Sequence, residues 1–141
     1  MARLPLTKVP LILSGPGVPC GLSLSQLVEL VDVYPTMAEL CRLPQPPGME
    51  GLSFVPVLQN PTLAWKSAAF TDNEAGENPS RSIRTDKYRY TSFEDGRESL
   101  FDFSVSPDET VDLAKSRENQ DLLKEMKNRL KQGWQAALPS Y

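Results

Sequence analysis

The chain has 141 residues, 40% of them apolar and 23% charged, with a net charge of −3. That balance suits a folded domain able to bury a core, offers no basic surface for nucleic acid, and contains no run approaching the roughly 18 apolar residues of a membrane span. Histidine is absent altogether, which excludes a self-contained Ser-His-Asp triad or a His-ligated zinc site.

Met1 to Lys8 carries too short an apolar stretch to read as a signal peptide. The run Lys8-Val9-Pro10-Leu11-Ile12-Leu13-Ser14 is continuously apolar and stops at Gly15-Pro16-Gly17, the profile of a strand buried on both faces of a mainly parallel sheet. Leu24 to Val31 is ambiguous between strand and helix. Asp32 is placed as the N-cap of a helix with Pro35 in its first turn, running to about Leu43 and ending before Pro44. Gln45 to Gly48 is loop. Ser53 is expected to cap a short helix over Phe54 to Leu58, and Trp65 to Phe70 reads as a strand interrupted by one lysine.

Asp72 to Ser80 has no large apolar residue and marks a loop or subdomain boundary. A meander follows. Ser82 to Thr85 and Tyr88 to Thr91 alternate polar with β-branched or aromatic residues across Asp86-Lys87, and Glu94-Asp95-Gly96-Arg97 turns the chain into Ser99 to Phe103. Alternation puts Tyr88 and Tyr90 on a buried face, with Phe101 and Phe103 read as core too, and leaves Arg89 and Thr91 on a wet one. Ser106-Pro107-Asp108-Glu109 is a turn, and Val111 to Ala114 a short tail able to pack beneath the sheet. From Ser116 the pattern is helical, with Leu122, Leu123, Met126, Leu130 and Trp134 on one stripe. Glu118 and Asp121 open this helix while Lys127, Arg129 and Lys131 close it, as the helix dipole favours.

Little in the chain carries chemistry by itself. Cys20 and Cys41 are compatible with a disulfide or with free thiols. Asp32, Asp72, Asp86, Asp102, Asp108 and Asp112 have the oxygens that calcium takes, but their spacing matches no calcium loop. Arg81, Arg84 and Arg89 are candidates for an anion site, since guanidinium matches sulfate or phosphate, but a solvated sheet face is the favoured reading because alternation alone explains it. There is no Gly-rich phosphate loop.

Several ordered strings resemble a known family. Thr7 to Gly17, then Leu27-Val28-Glu29-Leu30-Val31-Asp32-Val33-Tyr34-Pro35-Thr36, then Gly51-Leu52-Ser53 with Val57-Leu58, are similar to the closing portion of the sulfatase catalytic domain. Arg81 to Thr85, Tyr88 to Thr91, Leu100-Phe101-Asp102, Ser106 to Glu109 and Asp112-Leu113-Ala114 resemble its C-terminal subdomain, in the branch of the iduronate-2-sulfatases. The resemblance implies an α/β fold, α+β at its C-terminus: the end of an alkaline-phosphatase-like mixed sheet over 1–75, then a small antiparallel sheet packed with a C-terminal helix over 76–141.

It also implies hydrolysis of sulfate esters by a calcium-held formylglycine made from cysteine. The modification signal needs Pro or Ala two places after the cysteine and Arg four places after it. Cys20 is followed there by Leu22 and Leu24, and Cys41 by Leu43 and Gln45, so neither qualifies and no catalytic or metal residue is carried over. The expected partners are the missing N-terminal sulfatase portion and a sulfated saccharide, with neither nucleic acid nor membrane. Family members are usually exported or lysosomal. A stand-alone module that binds sulfated sugar through its arginines is the competing expectation.

Overall fold

The computed structural model describes residues 9–75 and 78–140. Expectations for Met1 to Lys8, and for Gly76 and Glu77 within the loop, lie outside the described residues. The chain divides into two compact units, Pro10–Lys66 and Ser67–Ser140.

In the N-terminal unit a single 3-10 turn, Leu30–Asp32, runs directly into α1, Val33–Leu40. The helix ends earlier than expected. Arg42 adopts φ +54°, its N–H bonds Glu39 O at 3.0 Å, and the Leu43 N–H reaches back to Ala38 O at 2.8 Å, a closed C-terminal motif that needs no proline. α2, Val55–Gln59, carries Pro56 in its first turn, and Ser53 Oγ accepts from the Val55 N–H at 3.3 Å. Phe54, Val57 and Leu58 form the core, with Leu13, Leu24, Val28, Leu63 and Trp65 packed against them.

Two expectations fail in this unit. Leu24 to Glu29 is neither strand nor helix, and Val9 to Leu13 forms no strand. Leu13 packs on the core, but Ile12 is 88% exposed. A strand buried on both faces exists only between neighbours, and none of the described strands pairs with this run.

The C-terminal unit is a four-stranded antiparallel sheet in the order β1 (Ala69–Asn73), β2 (Ser80–Arg84), β3 (Tyr88–Phe93), β4 (Glu98–Asp102). Residues 65 to 68 precede the sheet instead of opening it. The strand expected from Trp65 starts at Ala69 and continues to Asn73, inside the expected loop, because Ala69–Asn73 pairs residue for residue with Ser80–Arg84. The division between units therefore falls at Lys66, upstream of residue 75.

One row crosses all four strands, Phe70, Ile83, Tyr90 and Leu100. Onto it packs α3, Gln120–Gln132, through Leu123, Met126 and Leu130, the stripe that the spacing predicts. Gly133, at φ +81° and ψ 178°, ends the helix in a conformation closed to other residues. The tail also behaves as expected: the Leu113 N–H bonds Leu100 O at 2.8 Å, and Asp112 Oδ1 accepts from the Leu100 N–H at 3.0 Å, covering the outer edge of β4.

The second sheet face is not wet. Its central row is Ala69, Arg84, Arg89 and Phe101, and Phe101, Thr91 and Ser82 are all buried. Phe101 therefore faces away from Tyr90, and Leu100 takes the inward place beside it. The expected alternation was one residue out of phase in β4, which sends every side chain of a strand to the opposite face.

Among the described glycines Gly51 has the tightest surroundings. A Cβ built there would lie 1.9 Å from Val31 O, so backbone would have to move. Gly51→Ala is expected to lower stability by at least about 2 kcal/mol, the scale of forced overpacking, read as a fall in the urea midpoint followed by tryptophan fluorescence. An unchanged midpoint would show that the close approach is absent in solution.

Candidate functional site

The strongest polar arrangement in the N-terminal unit is centred on Asp32, whose side chain is fully buried. The carboxylate does not cap α1. Oδ2 accepts from the Glu29 N–H at 2.9 Å, and Oδ1 from the Leu52 N–H at 2.8 Å and from Lys66 Nζ at 2.6 Å. Lys66, itself only 3% exposed along its side chain, also donates to Glu29 Oε2 at 2.9 Å. Thr36 extends the network: its hydroxyl donates to Asp32 O at 2.6 Å and accepts from the Phe54 N–H at 3.0 Å. A buried charge needs this degree of compensation. The lone lysine in the apolar stretch was the available signal for this node, and the sequence reading treated it as an interruption.

In the C-terminal unit the structure separates the three candidate arginines. Arg81 pairs with Asp72 at 3.0 Å between exposed side chains, and strand alternation puts it on the Ile83 side of the sheet for which Arg84 is the opposite. Arg84 and Arg89 are cross-strand neighbours. The Arg84 guanidinium stacks 4.1 Å from the Phe103 ring centroid and Arg89 lies 5.6 Å from that of Phe101. Arg89 is ion-paired with the buried Glu109, which the 106–110 turn presents at φ +58°. Burial depresses the Arg89 pKa, opposed by Glu109 and reinforced by Arg84. Two of the three candidates therefore share a face, and one of those two is held by a carboxylate of its own chain.

The acidic residues are dispersed and internally engaged. Asp108 accepts from Ser106 and Thr110, and Asp102 from Ser104, bonds that hold both carboxyls below their usual range. Asp112 accepts from two backbone N–H groups. Among the described residues no group of three or more His, Cys, Asp or Glu side chains is placed to hold a metal ion. Cys20 and Cys41 are both free and exposed.

Tyr90 links sheet to helix. Its hydroxyl donates to Glu98 Oε1 at 2.5 Å, and Lys127 Nζ from α3 donates to the same oxygen at 2.8 Å. Burial, helped by the bond to Glu98, pushes the Tyr90 phenol up to about 12. The bonds from Lys127 and then Tyr90 hold the Glu98 carboxyl below its ordinary value.

This fold recurs in solved sulfatases. A 2-O GAG sulfatase superposes with a TM-score of 0.65 at 24% identity, over 75% of this chain and 24% of its own. A protein solved with its substrate D-glucosamine-2-N,6-O-disulfate superposes with a TM-score of 0.64 at 22% identity, over 72% and 22%. At such identities the likeness is one of fold. The family model for the C-terminal region of N-sulphoglucosamine sulphohydrolase matches residues 5–136. The chain belongs to this sulfatase C-terminal family. Human arylsulfatase K is 32% identical over 119 residues, covering 75% of this chain and 22% of that protein. A sulfatase of Formosa agariphila is 33% identical over 112 residues, covering 77% and 21%. The chain thus spans less than a quarter of the curated relatives it matches.

Two measurements check the polar nodes. Lys66→Ala strands the Asp32 carboxylate without its cation, and the expected loss is about 3–5 kcal/mol, the scale for breaking a buried pair; chemical denaturation showing less than about 1 kcal/mol would mean that Asp32 is not buried as a charge. Glu98 has its folded pKa depressed, so its contribution is present above its unfolded value near 4.3 and fades as pH falls through the lower folded one. The stability difference between the parent chain and Glu98→Gln should accordingly be clear at pH 7 and shrink toward pH 3. A difference independent of pH would show that the link to Lys127 is not ionic.

Proposed function

We propose that this chain is the C-terminal part of a sulfuric ester hydrolase. In this reading its N-terminal unit completes the catalytic fold, its C-terminal unit is a subdomain that closes one wall of the substrate pocket, and the chain is inactive by itself. The observation that carries the reading is the family match over residues 5–136 together with relatives of which the matched part is less than a quarter. The exposed apolar run at Leu11 and Ile12 supports it, because a segment of that composition is stable only inside a larger sheet.

The intact enzyme would use calcium and formylglycine supplied from upstream of this chain, and would act on a sulfated saccharide of the glycosaminoglycan type. The motif strings around Arg81 to Thr85 and Tyr88 to Thr91 support iduronate-2-sulfatase-like specificity. The 2-O GAG sulfatase among the structural neighbours is compatible with a substrate of that class. Such an enzyme would work in an exported or lysosomal compartment. Among the described residues no helix is long and apolar enough to cross a membrane. Arg84, stacked on Phe103, is the candidate side chain for contact with a sulfo group.

The test uses the purified 141-residue chain and, separately, the chain co-expressed with the upstream portion of human arylsulfatase K, both with calcium and a formylglycine-generating enzyme. A chromogenic aryl sulfate should be left untouched by the chain alone and turned over when the two parts co-purify. Turnover by the chain alone, or failure of the two parts to associate, would overturn the reading.

A further inference from the structure

Charge is unevenly placed along the chain. Residues 115–131 hold six of the 15 Lys and Arg but only three of the 18 Asp and Glu, in a chain whose net charge is −3. Helix α3 turns Leu123, Met126 and Leu130 onto the sheet, and at about 100° per residue the same turns bring Lys124, Lys127 and Lys131 together on one flank. The Lys124 side chain is 72% exposed and that of Lys127 46%, and Lys131 is exposed as well. Asp121 and Glu125 lie further round, about 90° and 130° from the middle of this flank, while Arg129 is on the other side of the helix, donating to Ser67 O at 3.1 Å. The exposed Lys115 comes in at the N-terminal end of the lysine flank, where Gln120 Nε2 donates to Ala114 O at 3.2 Å.

Little compensates these ammonium groups. Lys124 stands 3.7 Å from Asp121 between solvated side chains, a pairing that contributes almost nothing, and Lys127 spends one of its three donors on Glu98 at 2.8 Å. The three cations are spread over about 10 Å of helix, at 1.5 Å per residue. They form a row, not a cage, which suits a linear polymer carrying repeated anions better than one small anion. Lysine is a point charge without the planar fork of arginine, so the attraction is electrostatic and additive along the row. We propose that the Lys124–Lys127–Lys131 flank of α3 binds a linear sulfated polysaccharide. Because the chain as a whole is acidic, binding to a polyanion has to come from a local cluster and not from the net field. The choice of polymer rests on the reading of this chain as part of a sulfatase that acts on a glycosaminoglycan-type saccharide, and the inference goes further by giving that polymer a place on the helix.

The experiment titrates a heparin octasaccharide into the 141-residue chain at pH 7 over a series of salt concentrations. Two variants accompany the parent: Lys124→Gln/Lys131→Gln, and Arg42→Gln/Lys87→Gln, which removes the same charge from exposed positions elsewhere. Glutamine is as good a helix former as lysine, so circular dichroism and the urea midpoint of the flank variant should match those of the parent. The parent should bind with an affinity that falls as salt rises. The flank variant should bind at least about five-fold more weakly with a salt slope smaller by roughly one to two, the size expected for two lost ionic contacts, and the control variant should change less than about two-fold. Hyaluronan, which carries carboxylates and no sulfate, should compete poorly. No binding by the parent, equal losses in both variants, or equal competition by hyaluronan would each overturn the proposal, as would binding to phosphatidylserine vesicles without binding to heparin. Co-purification with the upstream portion of human arylsulfatase K reads the completion of the catalytic fold separately, so either reading can fail while the other stands.

Discussion

A carboxylate kept from water is the constraint that shapes the N-terminal unit. Asp32 sits where no solvent reaches it, and three groups answer for its charge: the Glu29 and Leu52 N–H groups and the Lys66 ammonium, which the Glu29 carboxylate shares. Those partners come from segments 20 and 34 residues apart in sequence, so satisfying one side chain fixes the paths of three stretches of chain. Gly51 is a consequence. For Leu52 to reach Asp32, the preceding residue must pass against the Val31 carbonyl, and no side chain fits there. Lys66 is another, since an ammonium this deeply placed is tolerable only against carboxylates.

The C-terminal unit is organised by packing and uses its charges differently. The Phe70–Ile83–Tyr90–Leu100 row meets Leu123, Met126 and Leu130 across an apolar layer, and Tyr90 carries its hydroxyl out to the edge of that layer, where Glu98 and Lys127 receive it. A phenol oriented in this way gives the core a register as well as volume. On the other face, stacking on Phe101 and Phe103 lets Arg89 and Arg84 lie down on aromatic surface, which is why a row rich in cations is substantially covered rather than wet.

What the sequence showed and what it hid follow from the range of the interactions. Helix α3 and the paired strands β2 to β4 were legible because their signals are periodic and local: a stripe of Leu and Met at helical spacing, alternation in RYRYT-like runs, and Asp-Gly at a turn. The phase of β4 was not, since Leu100 and Phe101 are both large and apolar and only the cross-strand partner decides which points inward. The Asp32 node was invisible for a different reason. Lys66 and Asp32 read separately as an interruption and a cap, and nothing in either neighbourhood says that they meet. β1 was hidden because Thr71-Asp72-Asn73 has the composition of a loop and owes its strand conformation to pairing with β2. The sulfatase strings were legible as a resemblance, and the family match covers the same residues.

The two units differ in how completely each uses its own apolar surface, and that difference bears on function. In the C-terminal unit nearly every large apolar side chain described has a place against the sheet or under α3. The N-terminal unit buries one side of α1 and shows the other, and keeps Leu11 and Ile12 in solvent. Its buried charges, by contrast, are paired around Asp32. Under the proposed reading this pattern has a simple cause: a segment that completes a larger domain must bring its hydrogen bonds already satisfied and its apolar surface still free, because apolar surface is what drives association while an unmatched buried charge would oppose it.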